Sequence, residues 1–208
     1  LLDKEACYDL IRDLVIKAAS HDNFIRIDME NSPCVDHSIK IFRRLKKEFP
    51  KNVGLVLQAY LKRTRSDLEN MLDLRSEDSR LNFRLCKGIY VESPSIAYTD
   101  YREINTHYLE DLELMFQNKV YPAIATHDKY LIQGALRLID TYNIPKSGYE
   151  FQMLYGVTPK LCQSLVSTGH SVRVYVPFGQ HWFGYSTRRL KENPAMMRHI
   201  LKAMLGKG

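Results

Sequence analysis

The sequence holds little that could staple the chain or anchor it. Four cysteines, Cys7, Cys34, Cys86 and Cys162, lie far apart and form no CxxC. That spacing excludes a disulfide scaffold and a structural zinc site, and it suits a reducing compartment. The seven histidines include no HExxH and no pair facing each other on one predicted helix, so no metal centre is expected. No apolar run approaches the roughly 20 residues that cross a bilayer. The opening "LLDKEACYDL" carries charge at once and has no basic stretch ahead of an apolar one, so no signal peptide is expected. No GxGxxG follows the first predicted strand, which weakens the dinucleotide-fold reading. RNA-binding aromatic signatures and zinc-finger spacings are missing too.

What remains is an ordinary globular composition. Over 208 residues, 45% hydrophobic and 26% charged, the chain is long enough for one domain with a large core. The net charge of +6 would attract an anionic ligand, nucleic acid or lipid. The basic residues are scattered, however. The densest groups, "RRLKK" (43–47) and "RRLK" (188–191), both fall on predicted helices. Nucleic acid is therefore not expected as a partner. The basic balance permits peripheral contact with an anionic bilayer, but no amphipathic anchor helix stands out.

Short apolar runs alternate with stretches of helical spacing. The runs are "NFIRIDME" (23–30), "NVGLVLQAY" (52–60), "NFRLCKGIY" (82–90), "YPAIATHD" (121–128), "YEFQMLY" (149–155) and "SVRVYVPFG" (171–179). Helices are predicted at about 3–19, 34–48, 66–73, 101–117, 129–141, 158–168, 183–191 and 195–205. Thr158 reads as an N-cap before Pro159, and Gly169 as a helix C-cap. Six strand-then-helix units in succession imply parallel strands with right-handed crossovers. An α/β fold follows, either a (β/α) barrel or a doubly wound sheet. A complete barrel has eight strands, and this pattern supplies six.

Polar residues recur where the strands end: Asp28, Gln58, Lys87, His127, Gln152 with Tyr155, and Tyr175. In parallel α/β folds that end of the sheet is the ligand face. The set, with Arg84, Thr126, Arg188 and Arg189, is poor in carboxylates and rich in donors, so it suits an anionic cofactor and a carboxylate substrate better than a metal. Lys87 alone has three readings: a Schiff-base lysine, a phosphate contact, or a side chain reaching solvent. "YSTRRLKENP" (185–194) has two: a solvated basic face, or two guanidiniums aimed at one small anion.

Taken in order, "RIDME", "VLQAY", "RLCKGIY", "ATHD", "YEFQMLYG", "RVYVPFG" and "YSTRRLKENP" closely resemble the flavin-dependent proline dehydrogenases, of the compact bacterial monofunctional type. The resemblance runs from about residue 8 to the last predicted helix. It implies a (β/α)8 TIM-like barrel with about six strands present here and the last helix over the C-terminal strand ends. It further implies oxidation of L-proline to Δ1-pyrroline-5-carboxylate by hydride transfer to N5 of FAD, with electrons passed to a quinone. Localisation would be cytoplasmic, at the inner face of the membrane where quinone resides.

The resemblance also assigns residues. Asp28 and Arg84 are the expected catalytic pair, with Arg84 beside the flavin N5. Met29, Gln58, Lys87, Gly88, Ile89, Thr126, His127 and Gln152 are expected on the cofactor. Arg188 and Arg189 are expected on the proline carboxylate, with Tyr90, Leu154 and Tyr175 on the ring and Glu192 restraining the arginines. Tyr175 favours proline over hydroxyproline. Cys86 and Ile89 stand where the family usually has valine and alanine. Family barrels place two further strands before the helix that opens this chain, so residues 1–208 are expected to be a single catalytic barrel domain that is incomplete at its N-terminal side. The rival expectations are a Schiff-base lyase working through Lys87 and a non-catalytic flavin-binding remnant.

Overall fold

Helix and strand alternate as the hydrophobic periods require, and the boundaries follow local capping. A computed structural model of the chain describes residues 3–76 and 79–176. The helices expected at about 183–191 and 195–205 lie outside the described residues. So do Arg188, Arg189 and Glu192.

The chain divides into two compact units. The first comprises α1 (Lys4–Ala19), β1 (Ile25–Ile27), α2 (Ser32–Glu48), β2 (Val53–Gln58), α3 (Thr64–Met71), β3 (Asn82–Cys86) and α4 (Tyr101–Gln117), with the start of β4 (Tyr121–Ala125). The second takes the rest of β4, α5 (Lys129–Thr141), β5 (Glu150–Leu154), α6 (Pro159–Ser167), β6 (Val172–Tyr175) and residues 89–91. Within each unit the strand order follows the chain, and every pairing is parallel. The α/β expectation is met, with six strands at the predicted places.

Caps explain the helix starts. Asp100 accepts from the amides of Arg102 and Glu103 at 2.9 and 3.0 Å, and Asp128 from that of Tyr130 at 2.9 Å, so α4 and α5 begin where predicted. The Asn31 side chain makes no cap at α2. Glu92, distant in sequence, accepts instead from the Ser32 amide at 2.6 Å and the Ser32 hydroxyl at 2.8 Å. Gly169, with φ of +79°, terminates α6 as expected. Thr158 departs from its predicted role. It sits before Pro159 but has φ +49° and gives no side-chain cap. A residue before proline is disfavoured in the right-handed helical region, and the tight turn at 155–158 drives this one left-handed. Its hydroxyl is buried and finds no partner among the described residues.

In the first unit, strand alternation sends Leu55, Leu57, Phe83 and Leu85 to one fully or almost fully buried face. Phe83 meets Phe42 of α2 edge-on, with ring centroids 5.4 Å apart. Tyr108 of α4 crosses the same layer and donates to the Leu85 carbonyl at 2.9 Å. Each such side chain stabilises by about 1.5–3 kcal/mol through burial. The opposite face carries Arg26, Gly54, Val56, Gln58, Arg84 and Cys86, placed together by the registers Arg26↔Gly54, Val56↔Arg84 and Gln58↔Cys86. Arg26 reaches Asn82 at 2.5 Å over Gly54. A Cβ on Gly54 would meet the Asn82 carbonyl at 2.5 Å, so glycine permits that close approach.

The "RRLKK" cluster is only partly a solvated face. Arg43 binds Asp73 and the Asn70 carbonyl, and Arg44 binds Glu5 while lying 3.5 Å over the Tyr8 ring. Lys46 is buried, donating to the Ser79 hydroxyl and the Arg80 carbonyl at 2.8 Å each and to the Pro50 carbonyl. Burial pushes its pKa down to about 8.

Candidate functional site

Asp28 follows β1 directly, and Arg84 lies within β3, two strands away. Arg84 extends past Val56 of β2 and donates through Nη2 to Oδ1 of Asp28. The same oxygen accepts from the Met29 amide at 2.9 Å. The Arg84 side chain is 19% exposed and that of Asp28 54%, so the pair faces an open side and is partly screened. Its value lies in orientation. The carboxylate holds one edge of the guanidinium and leaves the remaining N–H groups directed elsewhere.

Gln58, at the end of β2, is 3% exposed. Its Nε2 donates to the Glu30 carbonyl at 2.9 Å, and its own carbonyl accepts from the Thr64 hydroxyl at 2.5 Å. Gln58 therefore ties the Met29–Glu30 segment to the end of β2, and Met29 is buried beside it at 6% exposure. Of the sequence-predicted residues, the structure brings Asp28 and Arg84 into contact and commits the amide of Gln58 to the backbone.

Lys87 and Gly88 close β3. The Lys87 ammonium lies 4.1 Å from the centroid of the Tyr101 ring. A ring face attracts a cation, whereas a Schiff-base nucleophile must react as the neutral amine. Gly88 has φ +105°, and a Cβ there would lie 2.1 Å from a Tyr60 ring carbon. Only glycine fits, and the Lys87 carbonyl then accepts from the Tyr60 amide at 2.8 Å.

The second unit carries the other candidates. Ile89 and Tyr90 are half-buried. Thr126 is buried, and its hydroxyl accepts from the Asp128 amide at 3.1 Å. His127 accepts at Nε2 from the Leu154 amide at 2.9 Å, which leaves the hydrogen of the neutral ring on Nδ1. Leu154 and Tyr175 are register partners on β5 and β6 and so share a face. Gln152 lies on that face too and is 7% exposed. Its Nε2 donates to Oε1 of Glu150 at 2.6 Å. Glu150, 5% exposed, is held by Arg173 through contacts of 2.9, 3.0 and 3.1 Å.

Glu150 and Arg173 escaped the sequence reading. The available signal was Glu150 and Gln152 at i and i+2 in an otherwise apolar strand, two polar groups on one buried face. Among the described residues no group of three or more His, Cys, Asp or Glu side chains could hold a metal.

Residues 10–200 match the family model described as proline dehydrogenase. Proline dehydrogenase 1 of Bacillus subtilis subsp. natto is 38% identical over 206 residues, covering 99% of this chain and 66% of that relative. Proline dehydrogenase of Deinococcus radiodurans is 37% identical over 198 residues, covering 93% of this chain and 61% of that one. The chain thus spans just under two thirds of the length of these curated relatives. Among solved structures, proline utilization A from Bdellovibrio bacteriovorus, inactivated by N-propargylglycine, aligns with a TM-score of 0.80 at 26% identity. The alignment covers 85% of this chain and 20% of that one.

Proposed function

The chain belongs to the proline dehydrogenase family, and from that premise we propose that it oxidises L-proline to Δ1-pyrroline-5-carboxylate, with FAD as hydride acceptor and a quinone as onward acceptor. The observation that carries this reading is the donor-rich group at the strand ends, where Asp28 holds Arg84 at a fixed angle. FAD, when bound, would supply the two-electron chemistry that no side chain here can perform. The residues present suit it. Arg84 and Lys87 offer cations to an anionic cofactor, and Gln152 offers a side-chain amide.

In this reading Arg84 lies at the redox-active edge of the flavin, with Asp28 as its orienting carboxylate. Met29, Gln58, Lys87, Gly88, Ile89, Thr126, His127 and Gln152 bind the cofactor. His127 accepts from the Leu154 amide through Nε2, which fixes its ring in this reading. Arg188 and Arg189 bind the proline carboxylate, Glu192 restrains them, and Tyr90, Leu154 and Tyr175 pack on the ring. Fixing the carboxylate sets the angle between the reacting carbon and the flavin. Among the described residues no helix is long and apolar enough to cross a membrane. The reading has the chain meet a membrane quinone from the cytoplasmic side.

The test is anaerobic titration of the FAD-loaded chain with L-proline. The visible flavin band should bleach, and pyrroline-5-carboxylate should be trapped by o-aminobenzaldehyde. Flavin that binds but does not bleach would favour the non-catalytic flavin-binding reading. A colourless protein that borohydride traps with a ketone would favour the Lys87 lyase.

A further inference from the structure

We infer that Glu92 is a positioning residue for proline oxidation: it clasps the start of α2 and thereby fixes the segment 28–31, which carries Asp28 and Met29. This rests on the proline oxidation reading above. The start of α2 explains why a distant clasp is needed. An N-cap side chain ordinarily binds the amide two or three residues on. Here the first of these is Pro33, which has no N–H, and the Cys34 amide goes to the Asn31 carbonyl at 2.9 Å. The Asn31 side chain makes no cap, and the first turn holds no acidic residue. Glu92 supplies both the acceptors and the negative charge that a helix start favours. It takes the Ser32 amide at 2.6 Å and the Ser32 hydroxyl at 2.8 Å, one on each carboxylate oxygen.

Segment 28–31 is thus tethered at its start, in its middle and just past its end. Asp28 binds Arg84, the Glu30 carbonyl accepts from Gln58 at 2.9 Å, and Ser32 binds Glu92. Arg84 lies within β3, and Glu92 lies in the connection from β3 to α4. That connection is itself pinned near its beginning, where Gly88 packs against the Tyr60 ring in a backbone conformation only glycine accepts. The two outer tethers therefore refer Asp28 to the same strand that presents Arg84. With Ser32 released, Asp28 is held less firmly, and Arg84 loses the fixed edge that sets its angle. A role confined to capping would steady the first turn of α2 and leave Asp28 as it is.

The experiment has a ligand-free arm and a kinetic arm, both on the full chain. In the ligand-free chain, Glu92→Ala should speed deuterium exchange at the Met29 amide, which donates to Asp28 at 2.9 Å, by about three- to tenfold. Faster exchange confined to Ser32 and the first turn of α2 would overturn the positioning role and leave only a cap. In the FAD-loaded chain, single-turnover flavin reduction by saturating L-proline should slow about tenfold in Glu92→Ala, because small misplacements of catalytic groups cost rates of up to about a hundredfold. KM for proline should stay within about twofold, since Arg188 and Arg189, proposed for its carboxylate, are unchanged. Ser32→Ala, which removes only the hydroxyl contact, should slow reduction about threefold. Adding Ser32→Ala to Glu92→Ala should slow it no further, because both act through one clasp. Effects that multiply, or an unchanged rate in Glu92→Ala, would overturn the inference. A wild-type chain whose bound flavin proline does not reduce would refute the oxidation reading and the catalytic role of Glu92 with it, while exchange at Met29 still decides whether Glu92 holds Asp28.

Discussion

Replacing Asp111 by asparagine should stabilise the fold at pH 8 and change little near pH 4. Asp111 lies on α4 and is 3% exposed. Burial raises its pKa from an ordinary 3.8 to about 7; Glu110 and Glu69 push the same way, while Arg65 opposes them. The folded chain therefore binds a proton that the unfolded chain has released between pH 3.8 and about 7. Stability falls as pH rises through that window, and the penalty is complete above it. A shift of roughly 3 units corresponds to about 4 kcal/mol, an upper figure because local opening admits water. Asparagine keeps the shape without the charge, so a gain of about 2–4 kcal/mol is expected at pH 8. For a domain of this size that raises Tm by roughly 4–15 °C. Thermal melts of both proteins from pH 4.5 to 8.5 provide the assay, and the two curves should diverge as pH rises. Parallel curves, or a variant less stable at pH 8, would refute the reasoning by showing that the Asp111 charge is compensated in the folded state.

Two further substitutions probe the site. Gly88→Ala must accept φ +105° and a Cβ 2.1 Å from the Tyr60 ring. Backbone strain and overpacking together should cost about 3 kcal/mol, read as a lower urea midpoint; a midpoint within experimental error of the wild type would show that Tyr60 can yield. Arg188→Met should raise KM for proline at least about tenfold and weaken carboxylate inhibitors equally, while leaving the flavin spectrum intact. Unchanged inhibitor affinity would remove the carboxylate contact from the proposal.

The elements were legible where a local signal marked both ends. Predicted helices at 101–117 and 129–141 match α4 and α5, because Asp100 and Asp128 cap their starts and positive φ at Lys119 and Asn143 follows their ends. The local signal misled at Thr158, where proline and a tight turn override the hydroxyl's capping preference. Lys46 was legible as a helix residue but not as a buried amine, since its partners Ser79 and Arg80 come from the approach to β3. The site divides along the same line. Strand-end position singled out Asp28, Gln58, Lys87, His127 and Gln152. Only the register between strands reveals that Arg84 reaches Asp28, or that Arg173 holds Glu150. Such pairings depend on residues 56 positions apart in the first case, and composition is blind to them.

The two contacts that pass over β2 have a further consequence. β1 has three residues and pairs with one neighbour in its unit, a recipe for fraying. Arg26 to Asn82 and Asp28 to Arg84 fasten its middle and its C-terminal end to β3 instead. Opening β1 therefore requires breaking contacts with a strand it does not touch through its backbone. Its amides should exchange with solvent at rates close to those of β2. Any ligand that draws Arg84 away from Asp28 releases the C-terminal end, so filling the site would be felt as a change in proton exchange at Ile27.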